Sequence, residues 1–325
     1  EDAKQLFDRL GYIAHYEKQL TNKNVHVRSM SIDKLGKVKS TSSVSKLAGL
    51  LDADEPEIVS ITVRTLNKIG SQEALLAISR RLPSLLDGSV VASKTVQTAL
   101  LAFGPEAVQH LVEMQDWRDS PQVISSRLEI LSRLPAEAGS ARLAIKYLSN
   151  PDAEVRSKAL KVLGRTENNR CAPNLPALII PLLGDPVWFV RLQAIRSASA
   201  LKCTEAVVPI ARLIYDRNWQ VRNEAARAVI MQGQNFLDVM LEVLGGTDRY
   251  AKDSVCEEIE KTGLSAQLIA NLKGNDLDLQ KKSRKILEFM RSLGFSATLE
   301  AYLGNGAVKG GKESIREPLK QGAPQ

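Results

Sequence analysis

The chain has 325 residues, of which 44% are hydrophobic and 25% charged, and its formal net charge is +7. This composition is ordinary for a protein with a packed core, and it excludes a chain that is disordered throughout. Aromatic residues make up only 5%, which disfavours an all-β sandwich or barrel because strands are enriched in aromatic and β-branched side chains. No apolar stretch approaches the length of a membrane-spanning helix.

The first 21 residues predict an amphipathic capping helix. Leu6, Leu10, Ile13 and Leu20 recur at helical spacing along this segment. The sequence begins at Glu1 without a methionine. It is therefore interpreted as a mature or trimmed fragment, which leaves open that a signal peptide or a membrane anchor preceded this point.

A motif recurs from residue 22 onward, and this internal repetition dominates the sequence. In its clearest copies an aspartate stands six residues before an arginine, as Asp185 does before Arg191 and Asp216 before Arg222. The arginine recurs with similar surroundings at Arg28, Arg156, Arg191 and Arg222. A degenerate copy holds Arg127, and weaker copies lie near 61–70 and 95–104.

Each copy predicts two short amphipathic helices separated by a turn. Leu175, Ile179 and Leu183 mark the apolar face of a first helix, Pro186 interrupts the chain, and Val190 begins the face of the second. Helices of this length are marginal alone and become stable when neighbours bury their apolar faces. The sequence therefore predicts an all-α fold, a right-handed α-solenoid of about eight to nine helix pairs over 22–303, followed by a flexible Gly-rich tail at 304–325.

The pattern Asp-Pro-x-x-x-Val-Arg-x-x-Ala-Ile at 185–195, with counterparts at 150–160 and 216–226, resembles HEAT repeats. It is similar to the short bacterial type that also occurs in phycobilin lyases. The resemblance implies a structural ladder in which the aspartates and arginines link adjacent repeats, formed by Asp185, Arg191, Asp216, Arg222, Arg156 and Arg28. Asn150 and Asn22 replace the aspartate in the Arg156 and Arg28 copies. An aspartate before a helix accepts from free N–H groups and can also hold a guanidinium.

The sequence contains no arrangement of residues that predicts catalysis. His15, His26 and His110 fall in no metal-binding spacing. The three cysteines are widely separated, which favours reduced thiols over a disulfide framework or a zinc site. No phosphate-binding glycine loop follows a strand, and no nucleophile motif occurs. We therefore predict no catalytic residue, no metal and no cofactor.

One group of basic residues goes beyond what a scaffold needs. Lys161, Arg196 and Arg227 each follow a repeat arginine by five residues, and Arg165 lies nearby. We call Lys161, Arg165, Arg196 and Arg227 the basic strip, which is expected on the concave side. It is interpreted either as a solvated helix face or as a groove for an acidic peptide, a phosphate-rich ligand or nucleic acid.

Two tryptophans recur at one repeat position, three residues before the arginine. Trp188 and Trp219 occupy it, and Trp117 precedes a similar break. They are interpreted either as covers for the seam between repeats or as aromatic anchors of a binding surface.

The leading functional hypothesis is a non-catalytic scaffold that binds a protein partner through the concave surface near 150–230. The first alternative is a nucleic-acid-binding protein similar to HEAT-like DNA glycosylases, and the second is a chaperone of chromophore attachment or protein modification similar to the lyases. Fold alone does not decide among them. We expect a cytoplasmic location, with a membrane tether through residues before Glu1 as the alternative.

Overall fold

The computed structural model describes residues 3–87, 91–114, 120–166, 174–232 and 236–295, and these residues contain helices and turns but no β-strand. The chain divides into two compact units. Unit 1 comprises Glu1–Leu182 and Ser197–Lys202, and unit 2 comprises Leu183–Arg196 and Cys203–Gln325. Each unit consists of stacked helices, so the predicted all-α solenoid is confirmed.

Unit 1 is built from successive helix pairs. Its helices in chain order are α1 (Ala3–Arg9), α2 (Tyr12–Gln19), α3 (Val25–Lys37), α4 (Val44–Gly49), α5 (Pro56–Ile69), α6 (Gln72–Arg80), α7 (Leu82–Asp87), α8 (Ser93–Ala102), α9 (Glu106–Glu113), α10 (Pro121–Leu131), α11 (Ala138–Lys146), α12 (Ala153–Leu163) and α13 (Leu175–Ile179). The second helices α3, α5, α8, α10 and α12 pack side by side in that order. The first helices α4, α6, α9 and α11 form the other layer.

Helix α5 illustrates why the sequence forms these elements. Pro56 occupies the first turn, where its missing N–H costs nothing. Ile58, Val63 and Leu66 recur at helical spacing and are fully buried between the neighbouring helices. Gly70 ends the helix with φ of 68° and returns its N–H to the Leu66 carbonyl, a conformation that glycine adopts without steric cost.

Neighbouring second helices approach closely at a small residue eight positions after the repeat arginine. Thr65 donates to the Ile32 carbonyl at 3.4 Å beside Gly36, and Ser197 donates to the Leu160 carbonyl at 2.7 Å beside Gly164. A Cβ atom at Gly164 would lie 3.0 Å from the Ser197 Cα. Glycine is therefore required there to let the two backbones meet.

Unit 2 continues the same construction. Its helices are α14 (Trp188–Ala200, of which the residues up to Arg196 belong to this unit), α15 (Val207–Arg212), α16 (Trp219–Ile230), α17 (Leu237–Gly245), α18 (Arg249–Thr262), α19 (Leu264–Asn271) and α20 (Leu277–Ser292). Side chains of Asn218, Asp248 and Asp276 accept from N–H groups in the first turns of α16, α18 and α20. These caps satisfy donors that a helix start otherwise leaves open.

The N-terminal segment differs from its prediction. Gly11, with φ of 70°, breaks the expected capping helix into α1 and α2. Ile13 and Leu20 are buried, whereas Leu6 and Leu10 remain 47% and 60% exposed. Because the helix is broken at Gly11, the apolar side chains that precede it do not reach the core. The predicted tail at 304–325 lies outside the described residues.

Candidate functional site

Five second helices, α3, α10, α12, α14 and α16, carry the repeat arginine, and Arg191 shows what it does. Its guanidinium binds both carboxylate oxygens of Asp216 in the following repeat, at 2.7 and 2.8 Å. It also donates to the main-chain carbonyls of Asp185 and Pro186, at 2.8 and 3.2 Å. The two paired side chains are only 15% and 6% exposed. This bidentate, largely buried pair joins one repeat to the next.

Three of the other repeat arginines, Arg127, Arg156 and Arg222, share the main-chain part of this arrangement. Arg156 donates to the Asn150 carbonyl at 2.9 Å, and Arg222 to the Asp216 carbonyl at the same distance. Arg127 is fully buried and donates to carbonyls at the end of α9. These bonds satisfy carbonyls that follow the first helix of each pair.

The partner in the following repeat varies along the chain. Arg28 pairs with Glu55, which comes directly before α5. Arg222 instead lies over the ring of Tyr250, 5.3 Å from its centroid. An aspartate, a glutamate and an aromatic ring of the following repeat thus each contact a repeat arginine, because each can attract a guanidinium.

In unit 1 the basic strip is tied to a buried carboxylate. Lys161 on α12 donates to both carboxylate oxygens of Glu129 on α10, at 2.8 and 3.0 Å. Lys158 and Arg133 contact the same carboxylate at 3.1 and 2.9 Å. Burial by itself would raise the pKa of Glu129, but the hydrogen bonds and positive charges of Lys161 and Lys158 outweigh it and lower the pKa. Arg165 is exposed one turn further along.

In unit 2 the basic strip is tied to Glu224. Arg196 approaches this carboxylate at 3.1 Å, and Arg227 approaches it at 3.5 Å from the next turn of α16. The Glu224 side chain is 12% exposed, whereas the two arginines are more than half exposed. The guanidiniums therefore face solvent while their counter-ion lies beneath them.

These two glutamates were missed in the sequence. Glu129 and Glu224 each follow a repeat arginine by two residues, so a shared repeat position was available as a signal. Their pairing with basic residues in adjacent second helices depends on packing, which the spacing does not give.

A groove of about 810 Å³ lies over the second helices of unit 1. Its lining is polar and comes from the end of α7 and from α8, α10 and α12: Asp87, Gln97, Ser120, Pro121, Gln122, Ser125, Ser126, Glu129, Arg133, Asp152, Glu154 and Lys158. Four of these residues are acidic and two are basic. Among these acids Asp87 and Glu154 are exposed, and the Glu154 side chain is 60% accessible.

The described residues hold no group of three or more His, Cys, Asp or Glu side chains placed to bind a metal. His15 and His26 are exposed, and His110 is partly exposed. Cys256 is fully buried, and burial together with nearby Asp253 and Glu260 raises the pKa of its thiol to about 12. A thiol of this kind is a poor nucleophile.

The tryptophans predicted as seam covers or anchors are largely accessible. Trp188 packs edge-on against Phe189 with 5.7 Å between ring centroids, yet it stays 38% exposed. Trp219 is 61% exposed. Trp117 lies outside the described residues. More than half of the Trp219 side chain is thus accessible to solvent.

Comparisons with known proteins support the fold. Residues 140–230 match the family described as HEAT repeats. No curated protein sequence matches the chain. None of the described helices combines the length and hydropathy needed to cross a membrane.

Several solved structures are similar to the chain at low identity. Kap121p bound to Pho4p is 12% identical, with 91% of this chain and 39% of that chain covered and a TM-score of 0.53. Kap121p bound to Nup53p is 11% identical, with the same coverage and a TM-score of 0.52. The complex of CpcE and CpcF of phycocyanin lyase from Nostoc is 16% identical, with 76% and 94% covered and a TM-score of 0.35. The present chain thus spans 39% of Kap121p, and the likeness shows the fold alone.

Proposed function

We propose that this HEAT-repeat protein is a non-catalytic scaffold that binds a polypeptide segment through the groove of unit 1. The groove itself carries the proposal. Its volume, about 810 Å³, falls within the range of binding sites that enclose a ligand. Its walls come from successive second helices, so a segment lying along it would contact several repeats.

The charges of the groove favour a polypeptide over nucleic acid. Asp87, Glu129, Asp152 and Glu154 outnumber Arg133 and Lys158 in the lining. A phosphate backbone would meet net negative charge, and like charges placed together disfavour binding. The amides of Gln97 and Gln122 can both donate to and accept from a peptide backbone. A segment carrying lysine or arginine therefore fits best.

The basic strip remains a separate proposal for acidic partners. Lys161 already shares Glu129 with two other bases, and Arg196 and Arg227 share Glu224. The cluster in unit 2 keeps a positive excess, because the single carboxylate of Glu224 serves both arginines. Kap121p, a protein of the same fold class, has been captured with protein partners, which supports a protein partner for this chain too.

The test uses the full chain and short labelled peptides whose binding is followed by fluorescence anisotropy. The probes are alternating Lys-Ser, Gln-Ser and Glu-Ser peptides of equal length and a short double-stranded oligonucleotide. The variant Ser125→Trp fills the groove, and Glu154→Lys reverses an exposed carboxylate of its lining. The matched control is Glu288→Lys, which makes the same charge change on an exposed position of α20.

We expect the Lys-Ser peptide to bind most tightly. Ser125→Trp and Glu154→Lys should each weaken it about tenfold, which corresponds to about 1.4 kcal/mol, whereas Glu288→Lys should leave it unchanged. The proposal fails if the oligonucleotide binds more tightly than every peptide. It also fails if Ser125→Trp binds the Lys-Ser peptide like the unaltered chain.

A further inference from the structure

Unit 2 carries an exposed row of aromatic side chains that the groove does not explain. Among the described residues five aromatic side chains are exposed, and four of these five lie in unit 2. We call Trp188, Tyr215, Trp219 and Tyr250 the aromatic edge. Trp188 and Trp219 are the first residues of α14 and α16, Tyr250 is the second residue of α18, and Tyr215 precedes the turn into α16. All four therefore lie near the turns that open successive second helices.

Two contacts establish that these helix starts are neighbours. The Arg191–Asp216 pair joins the first turn of α14 to the turn before α16. The guanidinium of Arg222, in the first turn of α16, lies 5.3 Å from the ring of Tyr250 on α18. Trp188, Trp219 and Tyr250 thus follow one another at one ring per repeat. Packed helices lie about 8–10 Å apart, and this distance sets the approximate step between the rings.

The aromatic edge offers unused hydrogen-bond donors. Within the described residues, no hydrogen bond is made by the indole N–H groups of Trp188 and Trp219 or by the hydroxyls of Tyr215 and Tyr250. A ring that is exposed and still has its donor free presents both an apolar face and a polar handle to a ligand.

The edge carries one exposed cation without an ion pair. Arg217 is exposed between Tyr215 and Trp219 and makes no ion pair within the part of the chain that the structure describes. The other charges nearby are mixed, because Arg191 is paired with Asp216 and Arg249 with Asp253, and because burial, Glu242 and Asp248 together raise the pKa of the Tyr215 hydroxyl. An acidic group of a ligand on this edge would therefore bind at Arg217.

The spacing identifies the backbone that such a ligand would have. A polyproline II helix has three residues per turn and rises about 3.1 Å per residue, so every third residue returns to the same side after about 9.3 Å. That step matches the spacing of packed helices. Its carbonyls have no internal partners and can accept from indole and phenol groups, and its proline rings pack flat on aromatic faces.

We propose that the aromatic edge of unit 2 binds a proline-rich, acidic peptide segment in the polyproline II conformation, with one proline contact per repeat. This site is separate from the groove of unit 1, so either proposal can fail without the other. A stacked nucleic-acid strand fits less well. Its bases step by about 3.4 Å, so rings one repeat apart would leave intervening bases without a stacking partner.

The test measures binding of labelled Pro-Pro-Glu repeat peptides to the full chain. Gly-Ser-Glu repeats of equal length and charge control for charge alone, and oligothymidine is the nucleic-acid probe. The variants are Trp219→Ala, which removes the central ring, and Arg217→Glu, which reverses the unpaired charge. Met231→Ala is the matched control, because this side chain is 71% exposed just beyond the other end of α16.

We expect the Pro-Pro-Glu peptide to bind and to shift the intrinsic tryptophan emission. Trp219→Ala should weaken binding by about tenfold or more, as loss of a central aromatic anchor does. Arg217→Glu should also weaken it, and Met231→Ala should not. Equal binding of the Gly-Ser-Glu peptide would overturn the conformational argument. Absence of Pro-Pro-Glu binding, or tighter oligothymidine binding that Trp219→Ala abolishes, would overturn the proposed ligand class.

Discussion

The buried pair of Arg191 and Asp216 gives the sharpest prediction about stability. Arg191→Met keeps an unbranched stem but removes the guanidinium and its four hydrogen bonds, two of which reach Asp216. The Asp216 carboxylate then stays largely buried. The Asn218 N–H still donates to it at 2.8 Å, but its charge has lost the guanidinium. Breaking a buried pair by removing one partner costs about 3–5 kcal/mol.

We expect a loss near the lower end of that range, because 15% of the Arg191 side chain reaches water and solvent screens part of the interaction. A loss of about 3 kcal/mol lowers the urea midpoint by about 1 M for a slope of about 3 kcal/mol/M. Hydrogen exchange should show the loss in peptides that cover the starts of α14 and α16. Arg249→Met is the matched control, since its pair is 86% exposed at 3.7 Å and such pairs contribute little.

A double-mutant cycle decides whether the pair is responsible. Asp216→Asn keeps the shape of the acceptor and removes its charge. If the losses from Arg191→Met and Asp216→Asn simply add, with coupling below about 0.5 kcal/mol, the two residues act independently. The inference that this pair joins adjacent repeats would then be wrong. Equal midpoints for Arg191→Met and Arg249→Met would refute it as well.

Three further predictions concern unit 1 and the buried thiol. The pKa of Glu129 is lower in the folded protein than its ordinary value of 4.5. The ionised carboxylate therefore stabilises the fold fully at pH values above 4.5, and this stabilisation is lost as the pH falls through the pKa of the folded state. Glu129→Gln should therefore lower the melting temperature at neutral pH and match the unaltered chain in acid. Gly164→Ala should cost about 1–3 kcal/mol, measured by urea unfolding, because its Cβ would meet Ser197 at 3.0 Å. Cys256, with a thiol pKa of about 12, should resist iodoacetamide until the protein unfolds, as read by mass spectrometry.

Each of these has an outcome that contradicts it. A Glu129→Gln deficit that stays constant with pH would mean that the carboxylate acts through packing and not through charge. Gly49→Ala is the control for Gly164→Ala, since nothing lies within 4 Å of its added Cβ, and equal losses would refute the close-approach argument. Rapid alkylation of Cys256 in the folded protein would mean that the thiol is accessible.

The repeat class and the faces of its helices were predictable from sequence. Val190 and Val221 precede their arginines by one residue and are fully buried, as the helical period requires. The positions of the turns followed from Pro186 and from the Asp-x-Asn run at 216–218. These features are local, because propensity, capping and periodicity act within a few residues of one another.

The break at Gly11 was not predictable with the same rule. The apolar spacing of Leu6 and Leu10 continues through the glycine without interruption. A glycine inside a helical pattern costs little enough to be tolerated, so the period alone cannot tell a straight helix from two short ones. The structure shows two short helices, of which only the second buries its apolar residues, Ile13 and Leu20, in the core.

The sequence by itself determined that this chain repeats and, in the clear copies of the motif, where the helices begin and which residues face the core. Only the tertiary structure decided that Arg191 binds the carboxylate of Asp216 in the next repeat, that Glu129 collects three cations, and that a polar groove opens over α8, α10 and α12. The reason is distance along the chain. Partners such as Arg191 and Asp216 are separated by 25 residues, and their contact depends on how one helix pair stacks on the next, which no local pattern encodes.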